Sequence, residues 1–159
     1  MRNKGFTLIE ILVGMALILI LSSASYFGFV SFNRSQNLNI ARDNLRNTLN
    51  EARSRSLSQV VVKCSGSQTL FGHQVRFYNT YYEIEEVCED IITRIKTNFP
   101  TKRVPLSSEI SFNPTPSSPI LFLRSTGGIS DVASRVVTLQ NLAGQRSVTV
   151  NPAGVISSN

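Results

Sequence analysis

Few side chains in this sequence are placed to do chemistry, and the most unusual is Glu10. It is the sole charge between Phe6 and Val30, at the front edge of an apolar run, Ile11-Leu12-Val13-Gly14-Met15-Ala16-Leu17-Ile18-Leu19-Ile20-Leu21. A carboxylate in a bilayer is unfavourable by about 2.5–3.5 kcal/mol at its centre and by less near an interface. Such a group needs a cationic partner. A chain cut between Gly5 and Phe6 would supply one, the new amino group of Phe6 at a helix start. The positive end of the helix dipole favours an acid at the same place. A secretory cut after the apolar core, at Ser22-Ser23-Ala24-Ser25, leaves Glu10 unexplained.

The other candidates are weaker. Cys64 and Cys88 are the two cysteines. In an oxidising compartment an isolated pair reads as one disulfide, and two free buried thiols are the alternative. A bond would close a loop of about 24 residues, worth roughly 3 kcal/mol in the chain-entropy model. With a lone histidine, His73, the pair falls short of the four ligands of a metal site, and no cofactor is implied. Glu83, Glu85, Glu86, Glu89 and Asp90 crowd around Cys88 but lack the D-x-D-x-D-G pattern of a calcium loop. They read as a solvated strand edge or a surface for a basic neighbour. Arg34, Arg42, Arg46, Arg53 and Arg55 form a row that is either a solvated helix face or a contact for acidic partners, neighbouring subunits or DNA among them. There is no Gly-rich phosphate loop, no G-x-S-x-G elbow and no metal-ligand cluster, so the chain does not read as an enzyme.

These residues must be positioned by few elements. The run from Phe6 to Val30 has the length of a membrane-spanning helix, which needs roughly 20 mostly apolar residues. Arg2 and Lys4 precede it, so the positive-inside rule places the N-terminus in the cytoplasm and the rest outside. Leu38, Ala41, Leu45, Leu49 and Ala52 then recur every three or four residues and form one helical stripe. The spacing predicts a single helix from Phe6 to about Leu57, with Asn33, Ser35, Asn37 and Asn39 as a place where it could loosen. The formal net charge is +6, and +4 remains once Arg2 and Lys4 are removed, which permits weak attraction to polyanions without demanding it.

Beyond the helix the pattern is β. Strands are expected at Val60-Val61-Val62, at Gln74–Tyr78 and Tyr81–Glu85 as a hairpin around Asn79-Thr80, and at Ile91–Lys96. Tyr78, Tyr81 and Tyr82 read as cross-strand packing of that hairpin. Phe99–Pro105 reads as a connection, and 113–119, with three prolines, as an irregular loop. Short strands are expected at Ile110–Phe112, Ile120–Leu123, Arg135–Leu139, Arg146–Val150 and Val155-Ile156. The expected fold class is α+β. A long N-terminal helix, membrane-spanning in its first half and amphipathic in its second, packs on an all-antiparallel β head.

Lys4-Gly5-Phe6-Thr7-Leu8-Ile9-Glu10 and the apolar run closely resemble the start of type IV pilins and type II secretion pseudopilins. The resemblance implies cleavage by prepilin peptidase at Gly5–Phe6, N-methylation of Phe6, and Glu10 as the assembly carboxylate. The C-terminal V-T-L…G…V-T-V…G-V-I pattern is similar to the GspH/FimT-type minor pseudopilins and minor pilins. The implied organisation is a leader over 1–5, a transmembrane and filament-core helix over 6–30, its amphipathic continuation over 31–58, and a β-rich head over 59–159. The implied partners are the peptidase, other pilin or pseudopilin subunits, an inner-membrane assembly platform, and lipid before assembly. The implied location is a single pass in the cytoplasmic membrane with the head outside the cytoplasm, then a periplasmic or extracellular filament. The alternative is a filament-tip subunit that binds DNA for uptake, with Arg124, Arg135 and Arg146 as its contacts.

Overall fold

The structure is a computed structural model in which residues 7–158 are described, the side chains of 22–27 excepted. Helix α1 (Leu8–Leu57) is one continuous element. Leu38, Leu45, Leu49 and Ala52 are buried and Ala41 packs partly buried beside them, so the stripe read from the sequence is the face that meets the head. The helix does not break at the asparagines of 33–39. It ends at Leu57, and past the cap Ser58 the chain turns at Gln59, whose φ of 50° is left-handed. The Val60 N–H then reaches the Arg55 carbonyl at 3.0 Å and the Gln59 N–H reaches that of Ser56 at 3.3 Å. This Schellman arrangement satisfies carbonyls that a helix end leaves open, here without the usual glycine.

Eight strands follow among the described residues: β1 (Gln68–Phe77), β2 (Tyr81–Asp90), β3 (Lys96–Pro105), β4 (Ser111–Phe112), β5 (Ile120–Leu123), β6 (Arg135–Asn141), β7 (Gly144–Val150) and β8 (Ile156–Ser158). They form two four-stranded sheets, ordered β3-β2-β1-β5 and β4-β6-β7-β8. All pairings are antiparallel. The helix stripe packs against both sheets. Val75, Phe77, Tyr82, Ile84, Ile120 and Phe122 come from the first, and Val137, Leu139, Val148, Val150 and Ile156 from the second. The result is an α+β, pilin-like architecture.

Gly154 closes the C-terminal turn onto this core. Its φ is +78°, and a Cβ there would lie 1.9 Å from the Gly127 carbonyl oxygen. That carbonyl also accepts a hydrogen bond from Arg53 Nε at 3.2 Å, which ties the turn to α1.

Three expected elements differ. Val60-Val61-Val62 is an irregular loop, because the N–H groups that follow go to the Glu86 carboxylate instead of a strand neighbour. Ile91–Lys96 is not a strand. The Asp90 carboxylate accepts the N–H groups of Ile92 and Thr93, each at 2.9 Å, and Arg94 takes a φ of 58°, so the chain turns at 91–95. Phe99–Pro105, read as a connection, belongs to β3. That strand lies at a sheet edge, where a missing proline N–H is tolerated, and its register shifts opposite Ile84 and Glu85, beside Pro100.

Candidate functional site

Glu10 lies in the first turn of α1 and is exposed. Thr7 precedes the helix, and its carbonyl accepts the Glu10 N–H at 3.1 Å. The large apolar side chains of Leu8 to Leu21 stand out from the helix, Leu8 at 80% exposure and Leu12 at 62%. An exposed apolar surface of that extent marks a site of contact with a membrane or another protein. Among the described residues no helix is long and apolar enough to cross a membrane. The described apolar side chains cover 8–21, and the expected span of 6–30 extends beyond them on both sides. Gly5 and Phe6, the expected cleavage and methylation positions, lie outside the described residues.

A second group of chemistry-bearing residues gathers past the far end of the helix. Cys64 and Cys88 form a disulfide with a Cα–Cα distance of 5.6 Å. Next to it, Glu86 is fully buried. Its carboxylate accepts the backbone N–H groups of Val62, Lys63 and Cys64 at 3.0–3.3 Å. The loop is thus wrapped around one carboxylate, whose charge is met by peptide dipoles. His73 sits opposite Glu86 in the β1–β2 register and is also buried. Burial lowers its pKa. The Glu86 carboxylate acts in the opposite sense, and Arg55 adds to the lowering.

Ser56, His73 and Glu86 together have the residue types of a hydrolytic triad. The arrangement does not serve one. The Ser56 hydroxyl donates to the Phe122 carbonyl at 2.9 Å and accepts the His73 N–H at 2.8 Å, and its distance to His73 Nδ1 is 3.4 Å. Ser56 is fully buried, so no substrate reaches it. Cys64, Cys88 and Glu86 bring potential metal ligands within 4.8 Å of one another. The disulfide removes the thiolates that a metal would need.

The acidic run is not a solvated strand edge, and its Glu83, Glu85 and Glu86 are not a surface for a basic neighbour; this corrects the sequence reading. Strand β2 is interior to its sheet, and Glu83 and Glu85 are buried along with Glu86. Arg76 pairs with Glu85 at 3.0 Å and Arg103 with Glu83 at 3.3 Å. Gln74 donates to Glu85, and the Tyr78 hydroxyl donates to Glu83 at 3.0 Å. Burial is the main cause of the raised Tyr78 pKa, and Glu83 adds to it. Tyr78 and Tyr81 stack at 4.4 Å, and Arg103 lies over the Tyr81 ring. Tyr82 points the other way, into the core. Asp90 at the strand end is held down to about 2, chiefly by the Ser67 hydroxyl and then by the Thr93 and Ile92 amides. The hairpin register sets Arg76 opposite Glu83, whereas its ion pair goes diagonally to Glu85, so the sequence held only part of this signal.

The helix arginines are largely occupied. Arg42 pairs with Asp43 at 2.9 Å and Arg55 with Glu51 at 2.7 Å. Lys102 also pairs with Glu51, at 2.6 Å. Partial burial raises the Glu51 pKa, but the bonds from Lys102 and Arg55 outweigh it and leave a net lowering. The three candidate DNA contacts fall on separate elements. Arg135 reaches Ser118 and Asp131, and Arg146 donates to Asn39 Oδ1 at 2.9 Å. Arg124 follows β5 in the other sheet, beside Phe71 and Glu89.

Residues 1–26 match the prokaryotic N-terminal methylation motif. The chain therefore carries the processing motif of type IV pilins and pseudopilins on a pilin-like fold. No curated protein and no solved structure matches it. The motif covers the Gly5–Phe6 junction and Glu10, and ends before the head begins.

Proposed function

We propose that the chain is a minor pilin or pseudopilin of the GspH/FimT kind, a structural subunit of a type IV pilus or type II secretion-like filament. The observation that carries this reading is continuity. The methylation motif runs into a single 50-residue helix whose far half is the core of the head. Whatever fixes the apolar end therefore positions the head.

In this reading residues 1–5 are a leader removed by prepilin peptidase at Gly5–Phe6, and Phe6 is N-methylated. Residues 6–30 span the cytoplasmic membrane with the N-terminus inside. Residues 31–58 then support the head, 59–159, on the extracytoplasmic side. An inner-membrane assembly platform moves the subunit into a filament, where the apolar helix leaves lipid for equivalent helices. Glu10 pairs with the Phe6 amine of a neighbouring subunit, which offsets the desolvation of both charges. The minor role is supported by the disulfide, which lies early in the head and bounds no C-terminal loop.

Intact mass and N-terminal sequence of the protein from its own cells test the maturation step. A chain beginning at methylated Phe6 is expected, and one beginning at Met1 or after Ser25 refutes it. Glu10→Ala should leave cleavage intact and abolish incorporation into filaments. Normal assembly of that variant would remove the pairing step from the reading.

A further inference from the structure

The end of the head beyond the C-terminus of α1 exposes isoleucines where a turn ordinarily exposes polar residues. In the 91–95 turn Ile92 is 83% exposed and Ile95 64%, with Ile91 also out. The 60–67 loop is tied alongside. The Cys64–Cys88 bond holds it, the Ile91 N–H reaches the Ser67 carbonyl at 3.1 Å, and the Ser67 hydroxyl donates to Asp90 at 2.5 Å. That loop adds exposed Val60, Val61 and Val62. Turns in water favour Gly, Asn, Asp and Ser. Apolar side chains held out by a cross-linked turn are unfavourable unless something covers them.

The charges around them are unbalanced. Lys63, Arg94, Lys96 and Arg124 are exposed at this end. The Arg94–Glu89 pair and the buried Glu86 set aside, Lys63, Lys96 and Arg124 stand against the single carboxylate of Asp90. Asp90 takes Ser67 and two amides, Glu89 pairs with Arg94 at 3.7 Å, and Glu86 is buried in its loop. A projecting apolar turn rimmed by an excess of cations is complementary to a fluid anionic surface. It needs no matching cavity there.

We propose that this end of the head docks on an anionic phospholipid bilayer, with Ile91, Ile92 and Ile95 at headgroup level and Lys63, Lys96 and Arg124 on lipid phosphates. The bilayer is a different one from that assigned to the apolar half of α1. Residues 31–57 of the helix, at 1.5 Å per residue, separate the two by about 40 Å. The inference goes beyond the filament role and does not depend on filament assembly.

The test uses the full chain held in phosphatidylcholine nanodiscs, so that its apolar helix is already occupied. The discs are mixed with separate vesicles of phosphatidylglycerol or of phosphatidylcholine, and flotation reads the bound fraction. Binding to phosphatidylglycerol should exceed that to phosphatidylcholine by about tenfold or more and weaken as salt rises. Ile91→Ser with Ile92→Ser should lower it by roughly tenfold or more. Lys63→Gln with Lys96→Gln and Arg124→Gln should remove the lipid preference and the salt dependence. Unchanged near-UV circular dichroism and an intact disulfide mass establish that each variant folds. Failure to bind either vesicle overturns the proposal, as does equal binding by folded variants. Capture of another protein subunit in place of vesicles, lost in the same variants, would assign the surface to a protein interface instead.

Discussion

Removing the Glu86 carboxylate should release the 60–64 loop at a large cost. The group is fully buried and takes three backbone N–H groups at 3.0–3.3 Å. A hydrogen bond to a charged acceptor contributes about 1.5–3 kcal/mol. Three at the lower end give roughly 4.5 kcal/mol, reduced somewhat because Val62 and Lys63 are exposed enough for water to replace the acceptor. Glu86→Ala should therefore lose about 3–4 kcal/mol. Glu86→Gln should lose about 2 kcal/mol, since it keeps one oxygen but buries an amide donor. Against a total of about 5–15 kcal/mol either loss is substantial. The disulfide constrains the same loop, worth roughly 3 kcal/mol for a separation of 24 residues. Glu86→Ala combined with Cys64→Ala and Cys88→Ala should thus leave the loop without its two main anchors. The assay is urea denaturation of the detergent-solubilised chain followed by tyrosine emission, with amide exchange at Val62, Lys63 and Cys64 as the local readout. Loss of less than 1 kcal/mol in Glu86→Ala, with those amides still protected, would refute the role given to the carboxylate.

Three further outcomes follow from the same structure. Gly154→Ala places a methyl 1.9 Å from the Gly127 carbonyl at a φ of +78°, and should cost about 2–4 kcal/mol in urea denaturation; an unchanged midpoint would show that the turn yields. Gln59→Gly relieves a left-handed residue at the helix end and should raise stability by about 0.5–1 kcal/mol, seen as a higher melting temperature, whereas a fall would mean that the side chain holds the cap. His73 has a depressed folded pKa, so the unfolded chain binds its proton more readily. Its contribution is complete above about pH 6.5 and is lost as pH falls toward the folded value. The urea midpoint should slope downward from pH 7 to 5 in the wild type and flatten in His73→Gln; an equal slope in both would place the titration elsewhere.

What the sequence made legible was periodic or motif-like. The Leu38, Leu45, Leu49 and Ala52 stripe, the hairpin around Asn79-Thr80 and the 120–123 and 146–150 strands follow from spacing, and each lies where spacing puts it. The elements that were missed depend on a partner distant in sequence. Val60-Val61-Val62 has the composition of a strand, but Glu86, more than twenty residues on, takes the N–H groups that a strand would pair. Ile91–Ile95 is β-rich in composition, but Asp90 captures its amides first. Pro100 argues against an interior strand and not against an edge, and which strand is the edge is a property of the whole sheet. At the candidate site, Glu10 stood out as a lone acid in an apolar run, which needs no long-range information.

The asparagines at 33–39 show how such long-range contacts alter the functional argument. By composition they are the place for α1 to bend as it leaves the apolar segment. The helix instead continues through them, and the head grips it there. The Asn141 side chain donates to the Arg34 carbonyl at 2.8 Å, and Arg146 donates to Asn39 Oδ1 at 2.9 Å. An amide on a carbonyl gives little stability, about 0.5–1.5 kcal/mol. The guanidinium contact contributes more, about 1.5–3 kcal/mol, and together the two at the lower edge of the head restrict the angle between head and helix. Arg146 Nε is thereby committed to the joint that couples the head to the methylation-motif end. Arg146→Ala with Asn141→Ala should leave the core intact and loosen only that joint. Pulsed electron spin distances between a label on the exposed Ile40 side of the helix and one on Leu142 should broaden in the double variant, and an unchanged distribution would show that the Leu38–Ala52 stripe alone sets the angle.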